Sequence, residues 1–111
     1  MNTHIEYRYR DGGNYKLFHE VILSGEVTFE QIQEHFYEGD FFVPSEVGLE
    51  DLQEPPYREC DHVWHEIASV TPTEKDPTVD LAASEFLARF ALAGNARWTT
   101  ESVMVRMMEF A

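Results

Sequence analysis

The stretch from Ile5 to Leu23 constrains this chain more than any other. Ile5, Tyr7 and Tyr9 alternate with Glu6, Arg8 and Arg10, the two-residue period of a strand with one buried face. Asp11-Gly12-Gly13-Asn14 is turn chemistry, because Gly and Asn accept a positive φ. Leu17, His19, Val21 and Leu23 then alternate with Lys16, Phe18, Glu20 and Ile22. The spacing predicts a β-hairpin. A three-residue loop, Gly12-Gly13-Asn14, sets Tyr9, Tyr7 and Ile5 opposite Leu17, His19 and Val21. A two-residue loop sets them opposite Lys16, Phe18 and Glu20. A one-residue slip turns every side chain to the other face, so the demand for one buried face favours the three-residue loop.

Helical signals follow. Thr28 and Gln31 fit a capping box, Phe29, Ile32 and Phe36 form an apolar stripe, and Gly39 sits at a helix C′ position, which predicts a helix over Thr28–Glu38. Asp40 to Pro44 is a short apolar segment ended by proline, and Ser45 to Leu52 has room for one or two helical turns. Pro55 and Pro56 make residues 53–57 a loop. His62 to Thr71 reads as a strand rich in β-branched and aromatic residues, followed by a polar loop to Pro77. A second helix is expected over Val79–Ala93, with Phe86, Leu87 and Phe90 inward, Gly94 as its stop and Glu85–Arg89 as an exposed i, i+4 pair. In the tail from Trp98, Val103, Met104, Met107 and Met108 fit a helix face while Val103, Val105 and Met107 also alternate; the helix is preferred. The expected architecture is α+β: an antiparallel sheet of about three strands opening with the hairpin, and helices on one face in a second layer. One domain spans 1–111, with the tail from about residue 98 at its periphery.

Composition narrows the function. With 111 residues and 43% hydrophobic content the chain supports one core. It has no apolar run of bilayer-spanning length, and Met1-Asn2-Thr3-His4-Ile5-Glu6 lacks the character of a signal peptide, so a cytoplasmic location is expected. Cys60 is the only cysteine, which excludes an internal disulfide scaffold. The net charge of −13, from 21 acidic against 8 basic residues, opposes direct binding to nucleic acid or to an anionic membrane. A basic protein surface is the partner that this charge admits.

Tyr7-Arg8-Tyr9-Arg10-Asp11, followed by Asn14-Tyr15-Lys16, resembles the opening of a widespread family of small uncharacterised bacterial proteins. The resemblance continues through Glu38-Gly39-Asp40-Phe41-Phe42-Val43-Pro44 and Val47-Gly48-Leu49, and ends with Asp61-His62-Val63-Trp64-His65-Glu66. It covers roughly residues 5–67; after about Trp98 the chain departs from that family's usual ending. It implies a soluble bacterial or phage-related domain and brings no activity, cofactor or catalytic residue with it.

Three constellations remain. Cys60-Asp61-His62-Val63-Trp64-His65-Glu66 places five potential ligands of a borderline metal in seven residues. On a strand, however, His62 and His65 point to opposite faces, and the order differs from the zincin His-Glu-x-x-His. His19-Glu20 echoes His65-Glu66, and pairing of the two strands would bring those histidines together. The metal set is thus His19, His62, His65 and Glu66. Secondly, Leu17 to Tyr57 holds no Lys or Arg but ten carboxylates: Glu20, Glu26, Glu30, Glu34, Glu38, Asp40, Glu46, Glu50, Asp51 and Glu54. Glu30, Glu34 and Glu38 recur at i, i+4 and i+8, a stripe of like charges that costs a few tenths of a kcal/mol per pair. Glu30, Glu34, Glu38, Asp40, Glu50 and Asp51 are therefore the candidate partner-binding surface. Thirdly, Arg8, Arg10 and Lys16 form an anion-friendly edge beside Phe18, for which internal pairing with the protein's own acids is preferred. No Gly-rich phosphate loop or nucleophile elbow is present. The expected function is a non-enzymatic acidic interaction module, in its sharper form a nucleic-acid mimic that inhibits a nucleic-acid-binding protein. The alternative is a small metal-dependent enzyme or metal-binding protein; no other cofactor is expected.

Overall fold

The hairpin forms in the register that burial favours. In the computed structural model, which describes residues 1–53 and 55–110, β1 (Asn2–Arg10) pairs antiparallel with β2 (Lys16–Leu23). Tyr9 lies opposite Leu17, Tyr7 opposite His19 and Ile5 opposite Val21. The Asp11 N–H donates to the Tyr15 carbonyl and closes the Gly12-Gly13-Asn14 loop. The other flank of β1 pairs with β4 (His65–Thr73), and β4 with the two-residue β3 (Phe41–Phe42), giving the order β2-β1-β4-β3. The sheet thus has four antiparallel strands rather than about three.

Helices α1 (Phe29–Gln33), α2 (Ala83–Asn95) and α3 (Glu101–Met108), with a 3-10 turn at Pro44–Val47, complete the α+β fold. Ile5, Tyr7 and Tyr9 are at most 2% exposed, and Ile5 and Tyr7 share a core with Phe42, Phe86, Phe90, Trp98 and Val103. Phe90 is its hub: its ring centroid lies 5.1–5.8 Å from those of Phe86, Phe42, Trp98 and Phe36. The burial of Trp98 and Val103 places the start of the tail in this core, not at its periphery.

Several boundaries move from their expected places. The capping box forms at Thr28 and Gln31, but α1 stops at Gln33 instead of Glu38. Tyr37 N–H and C=O both bond Phe41, and Glu38 and Gly39 take positive φ values of 50° and 81°, which no right-handed helix admits. The Tyr37 ring lies flat on Trp64 at 4.1 Å, anchoring that turn. Strand β4 starts at His65, not His62, because the His62 N–H donates to the Tyr9 hydroxyl and the Trp64 N–H to His62 Nδ1. It runs on to Thr73, two residues into the expected loop. Helix α2 starts at Ala83, not Val79. Its approach is spent on the edge of β2, where the Thr78 N–H donates to Ile22 C=O, Thr78 Oγ1 accepts from Ile22 N–H, and the Ala83 N–H donates to Ser24 C=O. That segment covers an edge strand that would otherwise be open.

Gly94 does not stop α2, which continues to Asn95. A Cβ at Gly94 would stand 2.9 Å from His35 Cβ and 3.0 Å from its carbonyl oxygen, so the missing side chain lets α2 meet the end of α1. The chain leaves the helix at Arg97 and Trp98, both at positive φ, and the Trp98 indole N–H donates to the His35 carbonyl at 2.8 Å. Helix propensity alone would make Gly94→Ala stabilising by about 1 kcal/mol. The clash reverses that sign: the variant should lose about 1–3 kcal/mol, read from urea denaturation, and a gain in stability would show that the contact yields.

Candidate functional site

Tyr9 anchors the polar region beside the hairpin tip. Its position on β1 forces the ring inward, and a buried phenol needs partners for its hydroxyl. The hydroxyl donates to Asp61 Oδ1 at 2.6 Å and accepts from the His62 N–H at 3.2 Å. Asp61 Oδ2 accepts from the Arg58 N–H at 2.7 Å. Burial, reinforced by Asp61, holds the Tyr9 phenol above its usual range. The bond from Tyr9, with that from Arg58, holds the Asp61 carboxyl below its own. The proton therefore stays on Tyr9, and the pair is a fixed strut rather than an acid–base couple. A cleft of about 430 Å³ opens alongside, its lining including Tyr9, Asp11, Tyr15, Pro56, Arg58 and Asp61. Gln53 also lines it: Nε2 donates to His62 C=O at 2.8 Å, while its buried Oε1 has no partner among the described residues.

Ligand atoms of Asp11, Cys60 and Asp61 lie within 4.8 Å of one another. Each of these groups already takes part in hydrogen bonds within the protein. Asp11 Oδ1 accepts from the Tyr15 N–H, Asp11 Oδ2 from the Cys60 thiol at 3.6 Å, and both Asp61 oxygens hold donors.

The expected metal set His19, His62, His65 and Glu66 is not brought together. His62 Nδ1 accepts from the Trp64 N–H at 3.0 Å, so Nε2 carries the proton and donates to Arg10 C=O at 2.8 Å. His65 is fully buried; Nε2 accepts from the Leu52 N–H at 3.0 Å, and Nδ1 donates to Val63 C=O at 3.1 Å. Both rings thus spend both nitrogens on backbone. His19 and His65 do not become neighbours either, because β1 separates their strands and the Tyr7 ring stands between them, 5.7 Å from one and 6.3 Å from the other. Glu66 turns to the opposite face of the sheet and pairs with Arg8 at 3.2 Å and Arg10 at 3.5 Å.

Those ion pairs also bear on the basic edge: Arg8 and Arg10 share the single carboxylate of Glu66, and Lys16 is exposed beside an exposed Phe18. Among the acidic candidates, Glu30, Glu34, Glu38, Asp40 and Glu50 are exposed. Glu38 lies beyond the end of α1, so the three glutamates do not form one helical stripe. Asp51 leaves the set, because its nearly buried carboxylate accepts from Arg106 at 2.6 Å and from the Ser45 N–H. Glu54 lies outside the described residues.

The sequence signalled the Tyr9 site only indirectly. A tyrosine at an inward strand position demands an acceptor, but nothing in the spacing identified Asp61 or Gln53. No family model matches the chain, and no curated protein or solved structure is found to be similar to it. Among the described residues, no helix is long and apolar enough to cross a membrane.

Two outcomes follow from these bonds. Tyr9→Phe keeps the ring but strips a partner from Asp61 and from the His62 N–H; stability should fall by about 1–3 kcal/mol in urea denaturation. The second concerns pH. Burial pushes the His65 imidazole from 6.5 down to about 3, opposed by the bond to Val63 and aided by the charge of Arg106. Between those values the unfolded chain holds the proton and the folded one does not. This contribution is complete above pH 6.5 and is lost as pH falls, by up to about 1.4 kcal/mol per unit. The stability gap between the parent and His65→Asn should therefore narrow from pH 7 to pH 5, and a constant gap would contradict the assignment.

Proposed function

We propose that this protein is a non-enzymatic acidic interaction module that binds a basic protein surface. The observation that carries the reading is an exposed group of carboxylates that the protein does not neutralise itself. Glu30, Glu34, Glu38 and Asp40 all face solvent, and among the described residues the nearest cationic candidate is His35, 3.3 Å from Glu34. The paired arginines are committed elsewhere: Arg8 and Arg10 to Glu66, Arg89 to Glu85, and Arg106 to Asp51 and Glu109. With a net charge of −13, the field outside the molecule is predominantly negative and steers cationic partners toward it. A nucleic-acid mimic, seated where a nuclease or regulator holds phosphates, is the sharper form of the same reading.

Changing Glu30, Glu34 and Glu38 together to glutamine should leave the fold intact. Stability should rise by no more than about 0.2–0.5 kcal/mol, since only Glu30 and Glu34 stand at helical i, i+4 spacing. Association with a basic partner recovered by affinity capture should slow about tenfold at low salt, and the difference should shrink at high salt as exposed charges are screened. Unchanged association at low salt would mean that these carboxylates only solvate the surface. Competition by a DNA duplex for the same partner separates the mimic from a general acidic module.

A further inference from the structure

Helix α3 uses one face to hold itself in place. Val103 is fully buried, and Arg106 reaches Asp51 at 2.6 Å. At its start the Thr100 and Ser102 hydroxyls both donate to Glu46, in the 3-10 turn. Its opposite face should then be polar, as in most surface helices. It is apolar instead. Met104, Val105 and Met108 are 51%, 52% and 76% exposed, and with Glu101 they stand at i, i+3, i+4 and i+7, on one side. Four of the eight exposed large apolar side chains among the described residues fall on α3, Met107 being the fourth, so this is a patch rather than scatter.

We infer that this outward face of α3 is a docking surface for a basic amphipathic helix of a partner protein. The inference rests on the acidic-module reading and names the surface through which it acts. Charge complementarity selects the occupant. Glu101 shares the ridge and is in no ion pair among the described residues; Glu109 stands one turn beyond Val105, 3.7 Å from Arg106, the helix's only base, which Asp51 holds more closely at 2.6 Å. An apolar ridge with an acidic rim fits a helix with an apolar stripe flanked by lysines or arginines. Methionine suits such a surface, because its flexible side chain repacks against different partners. A second copy would set acidic rim against acidic rim in a chain of charge −13, and an anionic bilayer meets the same repulsion.

The test uses two synthetic peptides of equal length and charge, one with leucine and lysine at amphipathic helical spacing, the other with each leucine replaced by serine. Calorimetry compares the wild type, the triple variant Met104→Ser/Val105→Ser/Met108→Ser, and the Glu30/Glu34/Glu38→Gln variant. The wild type should bind the leucine peptide about tenfold more tightly, as expected for burying a few apolar side chains. The α3 variant should lose that preference and keep its affinity for the serine peptide. The glutamine variant should weaken both peptides alike and keep the preference. An α3 variant that retains the preference overturns the inference and leaves the acidic reading standing. A glutamine variant that binds both peptides like the wild type overturns the acidic reading, while the preference still judges α3. Sedimentation of the wild type as a dimer that the α3 variant dissolves would assign the face to a second copy, against the proposal. Should the triple variant fail to fold, Met108→Ser alone should reduce the preference about threefold, and no reduction overturns the inference.

Discussion

The two tyrosines that β1 turns inward cannot be buried unless something accepts their hydroxyl protons, and meeting that demand organises the middle of the chain. Tyr7 donates to the Glu50 carbonyl at 2.7 Å and Tyr9 to Asp61 at 2.6 Å. The acceptors lie 43 and 52 residues away, so two strand residues fix both ends of the 50–61 segment beneath the sheet. Once it is there, the Leu52 N–H meets His65 and the Gln53 amide meets the His62 carbonyl. Sheet side chains thereby satisfy the Glu50 carbonyl and the Leu52 N–H of a segment poor in regular structure, as buried polar groups require.

The same bonds explain which parts of the fold could be read from the sequence. The hairpin register was legible because a two-residue period and a turn signal act locally, and a slip would have exposed Tyr7 and Tyr9. The Thr28–Gln31 cap and the Glu85–Arg89 pair were legible for the same reason. The ends of elements were not, because distant contacts set them. Strand β4 begins late because Tyr9 and the His62 ring intercept the N–H groups of His62 and Trp64. Helix α1 ends early because Tyr37 returns to Phe41 and stacks on Trp64. Gly94 resembles a helix stop in sequence, yet it serves the approach of His35.

The histidines show how local ligand density misleads. His62 and His65 fall in a run that also carries Cys60, Asp61 and Glu66, a composition that suits zinc. A neutral imidazole has one donor and one acceptor, however, and irregular backbone around a strand start offers partners for both. His62 bridges Trp64 N–H and Arg10 C=O, and His65 bridges Leu52 N–H and Val63 C=O. The rings act as splints between strand and loop. Protonating His65 would set a second N–H against that of Leu52, so the bond geometry and the burial disfavour charge in the same direction.

At the surface, part of the basic charge is held in ion pairs while several carboxylates, among the described residues, are not. On the outer face of the sheet Arg8 and Arg10 share Glu66, and His4 Nε2 lies 3.0 Å from Glu20. The helical side spends Arg89 on Glu85 and Arg106 on Asp51, leaving Glu30, Glu34, Glu38 and Asp40 facing water. A chain selected only for solubility could disperse this excess, and mixed signs would lower its self-repulsion. The excess of acids over bases leaves an outward field that is mainly negative. The apolar ridge of α3 stands within that field, so on the proposed reading long-range attraction and short-range burial act on the same class of partner. Attraction of this kind chiefly speeds encounter, whereas packed apolar contact chiefly slows escape. On the proposed reading the two surfaces therefore have separate physical roles.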